Sequence, residues 1–136
     1  MKGEGLFVEE ANATVFAGSI GDLPVVSAGD HAGTEKRVVF GPGRFWDDYV
    51  ARFFSVAPGI STPFHAHDWP HYVLITGGSA RGKIMGHEYE LEAGSWAFVP
   101  GNTEHSFDNV GQGPLTFLCI VPKKGDLYWQ GETGSC

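Results

Sequence analysis

The chain has 136 residues, among them 20 Gly, 8 Pro, 10 Phe, 4 Tyr and 4 Trp, with 42% hydrophobic and only 18% charged side chains. It is too apolar and aromatic for intrinsic disorder, and Gly and Pro at this density, costing a helix interior about 1 and 3 kcal/mol each, exclude a helical bundle. A net charge of −7 leaves no basic face for nucleic acid, and the length suits one domain.

Residues 1–13 carry Glu4, Glu9 and Glu10 where a secretory signal needs a basic start and an apolar run, so a cytoplasmic protein is expected. Residues 23–26 read as a short edge strand. From Arg37 onward, β-branched or aromatic runs alternate with Gly and Pro. Strands are expected at 38–40, 49–57, 71–76, 79–85, 88–92, 95–99, 105–107 and 115–121, with stops such as Gly41-Pro42-Gly43, Pro58-Gly59, Gly77-Gly78, Pro100-Gly101 and Pro122. Breaks every 8–12 residues between short strands are the signature of an antiparallel sandwich or barrel, so the fold class is all-β. The core of the barrel is placed at 49–122 and a tail at 123–136. Residues 1–48 are read as N-terminal strands or an arm, packing on the barrel or on a dimer partner. Their Phe7, Val8, Val15, Phe16, Val38, Val39, Phe40 and Trp46 need burial, and a sheet edge near Val25 or Val38 would suit a second copy. The longest apolar stretch, 115–122, is far short of the ~20 residues of a spanning helix, so no membrane partner is expected. Cys119 inside that stretch and Cys136 make a poor disulfide framework, which fits a reducing compartment.

Four of the six histidines follow one spacing: His65-x-His67-x-x-x-His71, with His105 34 residues on. Residues two apart on a strand face the same side, so His65 and His67 point together. Asp68-Trp69-Pro70 reads as a turn that lets His71 open the next strand beside them. Converging neutral imidazoles suit a divalent transition metal (Mn, Fe, Cu, Ni or Zn), one per chain. His31, in a Gly-rich segment, and His87, at a hairpin tip, fall outside this set. The run Gly77 to Gly82 lacks the Lys-Ser/Thr of a phosphate loop, and no Gly-x-Ser-x-Gly elbow is present.

Two spaced motifs carry a family resemblance. Gly59-x5-His65-x-His67-x3-His71-x6-Gly78 resembles the first cupin motif, with His71 where Glu is usual. Gly94-x5-Pro100-x-Asn102-x2-His105-x3-Asn109 resembles the second, with Asn102 where Gly is usual. The resemblance, over residues 49–122, is to small single-domain cupins of the four-histidine subgroup. It implies a double-stranded β-helix, the cupin jelly-roll barrel, with a metal held by His65, His67, His71 and His105 in its mouth, and a homodimer. Asn tolerates the left-handed backbone that a turn Gly supplies, so Asn102 is a mild departure. Neutral His71 in place of Glu leaves the metal less compensated and favours anionic substrates.

Parity places Phe107 beside His105, and Phe117 and Cys119 on one face of their strand, as candidate pocket residues. Trp69 and Phe64 are candidate rim aromatics. Arg52, inside a strand, is the candidate cation for an anionic substrate, with a solvated face as its bland alternative. Glu104 and Asp68 adjoin ligands and could accept their ring N–H groups. The catalytic groups beyond the metal centre stay unassigned. The expected function is a metal-dependent dioxygenase acting on a small organic substrate. A metal-assisted isomerase or lyase on a sugar or keto acid, and a non-catalytic binding protein for a small ligand, are the alternatives.

Overall fold

The computed structural model describes residues 15–26, 32–132, 134 and 136. Phe7, Val8 and His31 therefore lie outside the described residues. Eight strands run in chain order: β1 Thr34–Phe40, β2 Tyr49–Val56, β3 His71–Gly77, β4 Ser79–Ile84, β5 His87–Glu92, β6 Trp96–Val99, β7 His105–Asn109 and β8 Leu115–Pro122. They form a five-stranded sheet, β1-β2-β8-β3-β6, and a three-stranded sheet, β5-β4-β7. Every named strand pair is antiparallel. The spacing of turn residues predicts such an all-β antiparallel fold, and the cupin resemblance its jelly-roll form.

Side-chain alternation builds the core between the sheets. Along β8, Leu115, Phe117, Cys119 and Val121 are buried while their neighbours are only half-buried, the period of two that a pleated strand imposes. Val50, Phe54 and Val56 of β2 and Val73 and Ile75 of β3 join them. Phe117 stacks on Phe54 at a centroid distance of 5.2 Å and meets Phe107 of β7 at 5.7 Å, which ties the two sheets together. Gly78, between β3 and β4, has φ +83°, and a Cβ there would stand 2.5 Å from the Pro114 carbonyl oxygen, so this turn needs glycine. Asn102 takes φ +58°, the left-handed turn read for it.

One strand reading changes. Residues 23–26 form no strand: Val26 makes one isolated bridge to Lys36. The 57–70 connection carries only single bridges, Ser61 to Asp108 and His65 to His105, because its prolines interrupt a continuous ladder. The apolar residues before β2 are not all covered. Val38 is buried, yet Val15 and Phe16 are 70% and 77% exposed. After β8, two 3-10 turns, Lys123–Gly125 and Tyr128–Gln130, bring the chain back onto the barrel, where Asp126, Tyr128 and Cys136 are buried. Among the described residues no helix is long and apolar enough to cross a membrane.

Candidate metal centre

His71 and His105 are the first residues of β3 and β7, so the barrel walls fix them at its mouth. The 57–70 connection carries His65 and His67 to the same end. His65 exchanges backbone hydrogen bonds with His105, N–H to O at 3.2 Å and 3.0 Å in the two directions, and the Asn102 N–H donates to the His67 carbonyl. The four imidazoles gather as a result. Ring centroids lie 4.2 Å apart for His65 and His67, 4.6 Å for His71 and His105, 5.1 Å for His67 and His71, and 5.3 Å for His65 and His105. The donor atoms of His65, His67 and His105 all fall within 4.8 Å of one another.

Proton bookkeeping at the rings shows what the cluster lacks. Nδ1 of His105 donates to the Thr103 carbonyl at 2.9 Å. Burial, the largest influence, holds this histidine below its usual pKa and therefore neutral. Its Nε2 is then a lone pair, and it faces the carbonyl oxygen of Cys136 at 3.1 Å. Two acceptors in contact are unfavourable without a cation between them. His71 has its Nδ1 3.4 Å from the Cys119 sulfur, while its Nε2 is buried with no hydrogen-bond partner. The Nε2 atoms of His65 and His67 stand 3.1 Å apart. Two nitrogens bound at about 2.1 Å and at right angles to one ion would be ~3.0 Å apart. An orphaned nitrogen, a facing acceptor pair and this spacing all fit a divalent transition ion.

His67 stacks on Trp69 at 4.7 Å with an interplanar angle of 6°. Burial, followed by the charges of His65, His71 and His105, pushes its pKa down to about 4. The unfolded chain, with a histidine near 6.5, therefore binds more protons than the fold between those values, and stability falls as pH drops. The metal-free protein is expected to lose thermal stability progressively from about pH 6.5 toward pH 4, and the His67→Gln variant to lose less. Unfolding temperatures across this window check the sign; a flat profile in the parent protein contradicts it.

The other anticipated residues divide. Phe107, fully buried, borders the cluster with its ring 6.5 Å from His105, whereas Phe117 belongs to the core behind it. Phe64 is 59% exposed. Arg52 corrects both of its readings, being neither solvated nor open to a substrate. It is wholly buried, with Nη1 3.0 Å from Asp126 Oδ2 and Nη2 3.1 Å from the Cys119 sulfur. Lys36, also wholly buried, reaches the same Asp126 oxygen at 2.8 Å. Burial works against the Arg52 charge, but Cys119 and Asp126 outweigh it and raise its pKa. Burial works against the Cys119 thiolate too, yet the Cys136 hydrogen bond and Arg52 bring its pKa well below the usual thiol value.

Asp68 pairs with Lys124 at 3.5 Å and the Glu104 side chain is exposed. Neither serves the rings of His71 and His105, whose Nδ1 atoms meet Cys119 and a backbone carbonyl instead. Sequence reading does not single out Thr103, Asp126 or Cys136 for the site. Two of these contribute backbone oxygens, which leave no mark in a sequence. Cys136 also brings its sulfur into a second donor group with His71 and Cys119. A cavity of about 220 Å³ opens beside His67 and Trp69, bounded on its far side by Asp126, Glu132 and Gly134.

A family model described as a cupin domain matches residues 52–121. Among curated proteins nothing matches the chain. Among solved structures, the polyketide cyclase RemF from Streptomyces resistomycificus is 25% identical with a TM-score of 0.71, over 80% of each chain. A cupin 2 domain-containing protein from Halorhodospira halophila is 26% identical with a TM-score of 0.63, over 67% of this chain and 65% of that one. A predicted oxalate decarboxylase from Thermotoga maritima, 18% identical with a TM-score of 0.70 over 79% and 98%, shares the fold.

Proposed function

The chain belongs to the cupin family, and on that premise we propose that it is a metal-dependent enzyme whose His65, His67, His71 and His105 hold one divalent transition ion. The observation that carries this reading is the buried, unpartnered Nε2 of His71 beside the imidazoles of His67 and His105. Bound there, the ion supplies Lewis acidity to a carbonyl oxygen. The protein's own part is to keep four neutral nitrogens in place. Thr103 fixes the His105 tautomer, and Cys119 holds the far side of the His71 ring. No carboxylate belongs to this donor set, so the charge of the ion is left for the substrate to balance. A small enolisable molecule with two oxygens, entering over Trp69, meets that requirement.

Oxidation by dioxygen and metal-assisted isomerisation, lysis or ring closure are all open to such a substrate. The likeness to a polyketide cyclase favours the non-oxidative group, since polyketide chemistry is that of enolisable carbonyls. Protein loaded separately with Zn(II), Mn(II) and Fe(II) is expected to convert members of a panel of 1,3-diketones and keto acids without oxygen. Products would keep the substrate mass or lose water. Oxygen uptake matching turnover with Fe(II), and no anaerobic reaction, would make the enzyme a dioxygenase. Saturable binding without conversion would make it a binding protein. Tyr72, Leu74, Trp96 and Phe98, exposed together on neighbouring β3 and β6, suit burial against a second copy in a homodimer.

A further inference from the structure

The chain does not leave the barrel after β8. Lys36 Nζ donates to the Gly134 carbonyl at 2.8 Å. Cys136 is 2% exposed and meets the site through both its backbone and its side chain. Its carbonyl oxygen enters the histidine cluster, 2.9 Å from His65 Nε2 and 3.1 Å from His105 Nε2. Its sulfur stands 3.3 Å from that of Cys119. The Cys119 sulfur is fixed by β8, by Arg52 Nη2 and by His71 Nδ1, so it stays in place when the segment after β8 moves. A bond between the sulfurs would thus anchor the segment that puts an oxygen among the histidines.

We propose that Cys119 and Cys136 are a redox modification site, oxidised by a low-molecular-weight disulfide to an intramolecular disulfide that holds this segment across the histidine cluster. Cys136 leaves the cluster by way of the cavity that His67, Trp69, Glu132 and Gly134 line. The Cys136 sulfur then displaces one thiol from the small disulfide and forms a mixed disulfide. When the segment closes, the Cys119 sulfur attacks the Cys136 sulfur and expels the second thiol. Two electrons pass from the cysteine pair to the small disulfide, and the two cysteine protons leave with the released thiols. In the reduced protein no covalent bond holds Cys136 at the cluster, and substrate can displace it. In the oxidised protein the Cys136 carbonyl keeps a position that a substrate oxygen would take, a consequence that rests on the four-histidine reading above.

Reduced protein equilibrated with glutathione disulfide is expected to form no disulfide between chains, lose about 2 mass units per chain and fall from two titratable thiols to none when denatured. The Cys119→Ser variant should instead stop at a glutathione adduct on Cys136. Cobalt(II)-loaded protein should surrender its metal to EDTA at least about tenfold more slowly after oxidation, because the tether keeps the segment closed. Dithiothreitol should restore the faster rate. Two persistent thiols, a disulfide-linked dimer, a second equivalent of metal protecting both sulfurs, or equal cobalt release in both states would each overturn the proposal. Formation of the disulfide in protein that binds no cobalt in either state would support the redox site and refute the four-histidine reading.

Discussion

Replacing Asp126 with Asn is expected to destabilise the protein by about 3–5 kcal/mol, the cost of removing one member of a buried ionic cluster. Asp126 is 1% exposed. Its Oδ2 accepts from Lys36 Nζ at 2.8 Å and Arg52 Nη1 at 3.0 Å, and its Oδ1 accepts the Tyr128 N–H at 3.1 Å. Asn keeps the shape and one carbonyl acceptor but leaves two wholly buried cations without their shared anion. Burial already lowers the Lys36 pKa, partly offset by Asp126 and reinforced by Arg52. In the variant, Lys36 is expected to give up its proton, and Arg52, which cannot, to lose the carboxylate that balances its charge. Denaturant unfolding of the metal-free protein measures the loss. Adding Lys36→Met to Asp126→Asn should recover part of it, since one stranded cation is gone. The exposed Arg81–Glu90 pair is the contrast: its removal should leave the midpoint unchanged. A loss below about 1 kcal/mol for Asp126→Asn would mean that water reaches the cluster.

The same cluster shows where the sequence stops being informative. His65, His67, His71 and His105 are legible because two of the gaps are local and the Gly and Pro around them mark strand ends. Backbone pairing of His65 with His105 then closes the remaining distance. The β8 core face is legible because alternation over eight residues has one physical cause. Arg52 reads as a lone charge in an apolar strand, and its partner Asp126 lies 74 positions away in a segment without periodicity. Glu104 and Asp68 look like partners of the ligands by adjacency, but adjacent residues on extended chain point apart. The Cys136 carbonyl is invisible in principle, because every residue has one. Asp126, Gly134 and Cys136, all after β8, face Arg52, Lys36 and Cys119, so the tail is part of the site's wall. That could be known only once the barrel placed those three side chains together.

His105→Gln is expected to weaken metal binding by more than about 100-fold. Losing a partner that merely orients a ligand costs roughly 10–100-fold, and this change removes a proposed ligand itself. Gln keeps most of the volume, and its amide can still donate to the Thr103 carbonyl, so the β7 terminus should hold. What it lacks is an imidazole nitrogen facing His65, His67 and His71. Cys119→Ala tests the lesser effect: the Nδ1 side of His71 loses its contact while all four imidazoles remain, and the affinity should fall about tenfold. His87, exposed on β5 and separated from His105 by strand β4, supplies the control, and His87→Ala should bind as the parent does. Competition against a chelator with Zn(II) or Co(II) ranks the four proteins. The ranking should reappear in thermal unfolding, where metal at 100 times its dissociation constant adds about 2.7 kcal/mol to a competent site. His105→Gln should show almost none of that gain, Cys119→Ala most of it at higher metal concentration, and His87→Ala all of it. Parent-like affinity in His105→Gln would remove β7 from the centre and leave a site of three histidines on β3 and the 57–70 connection.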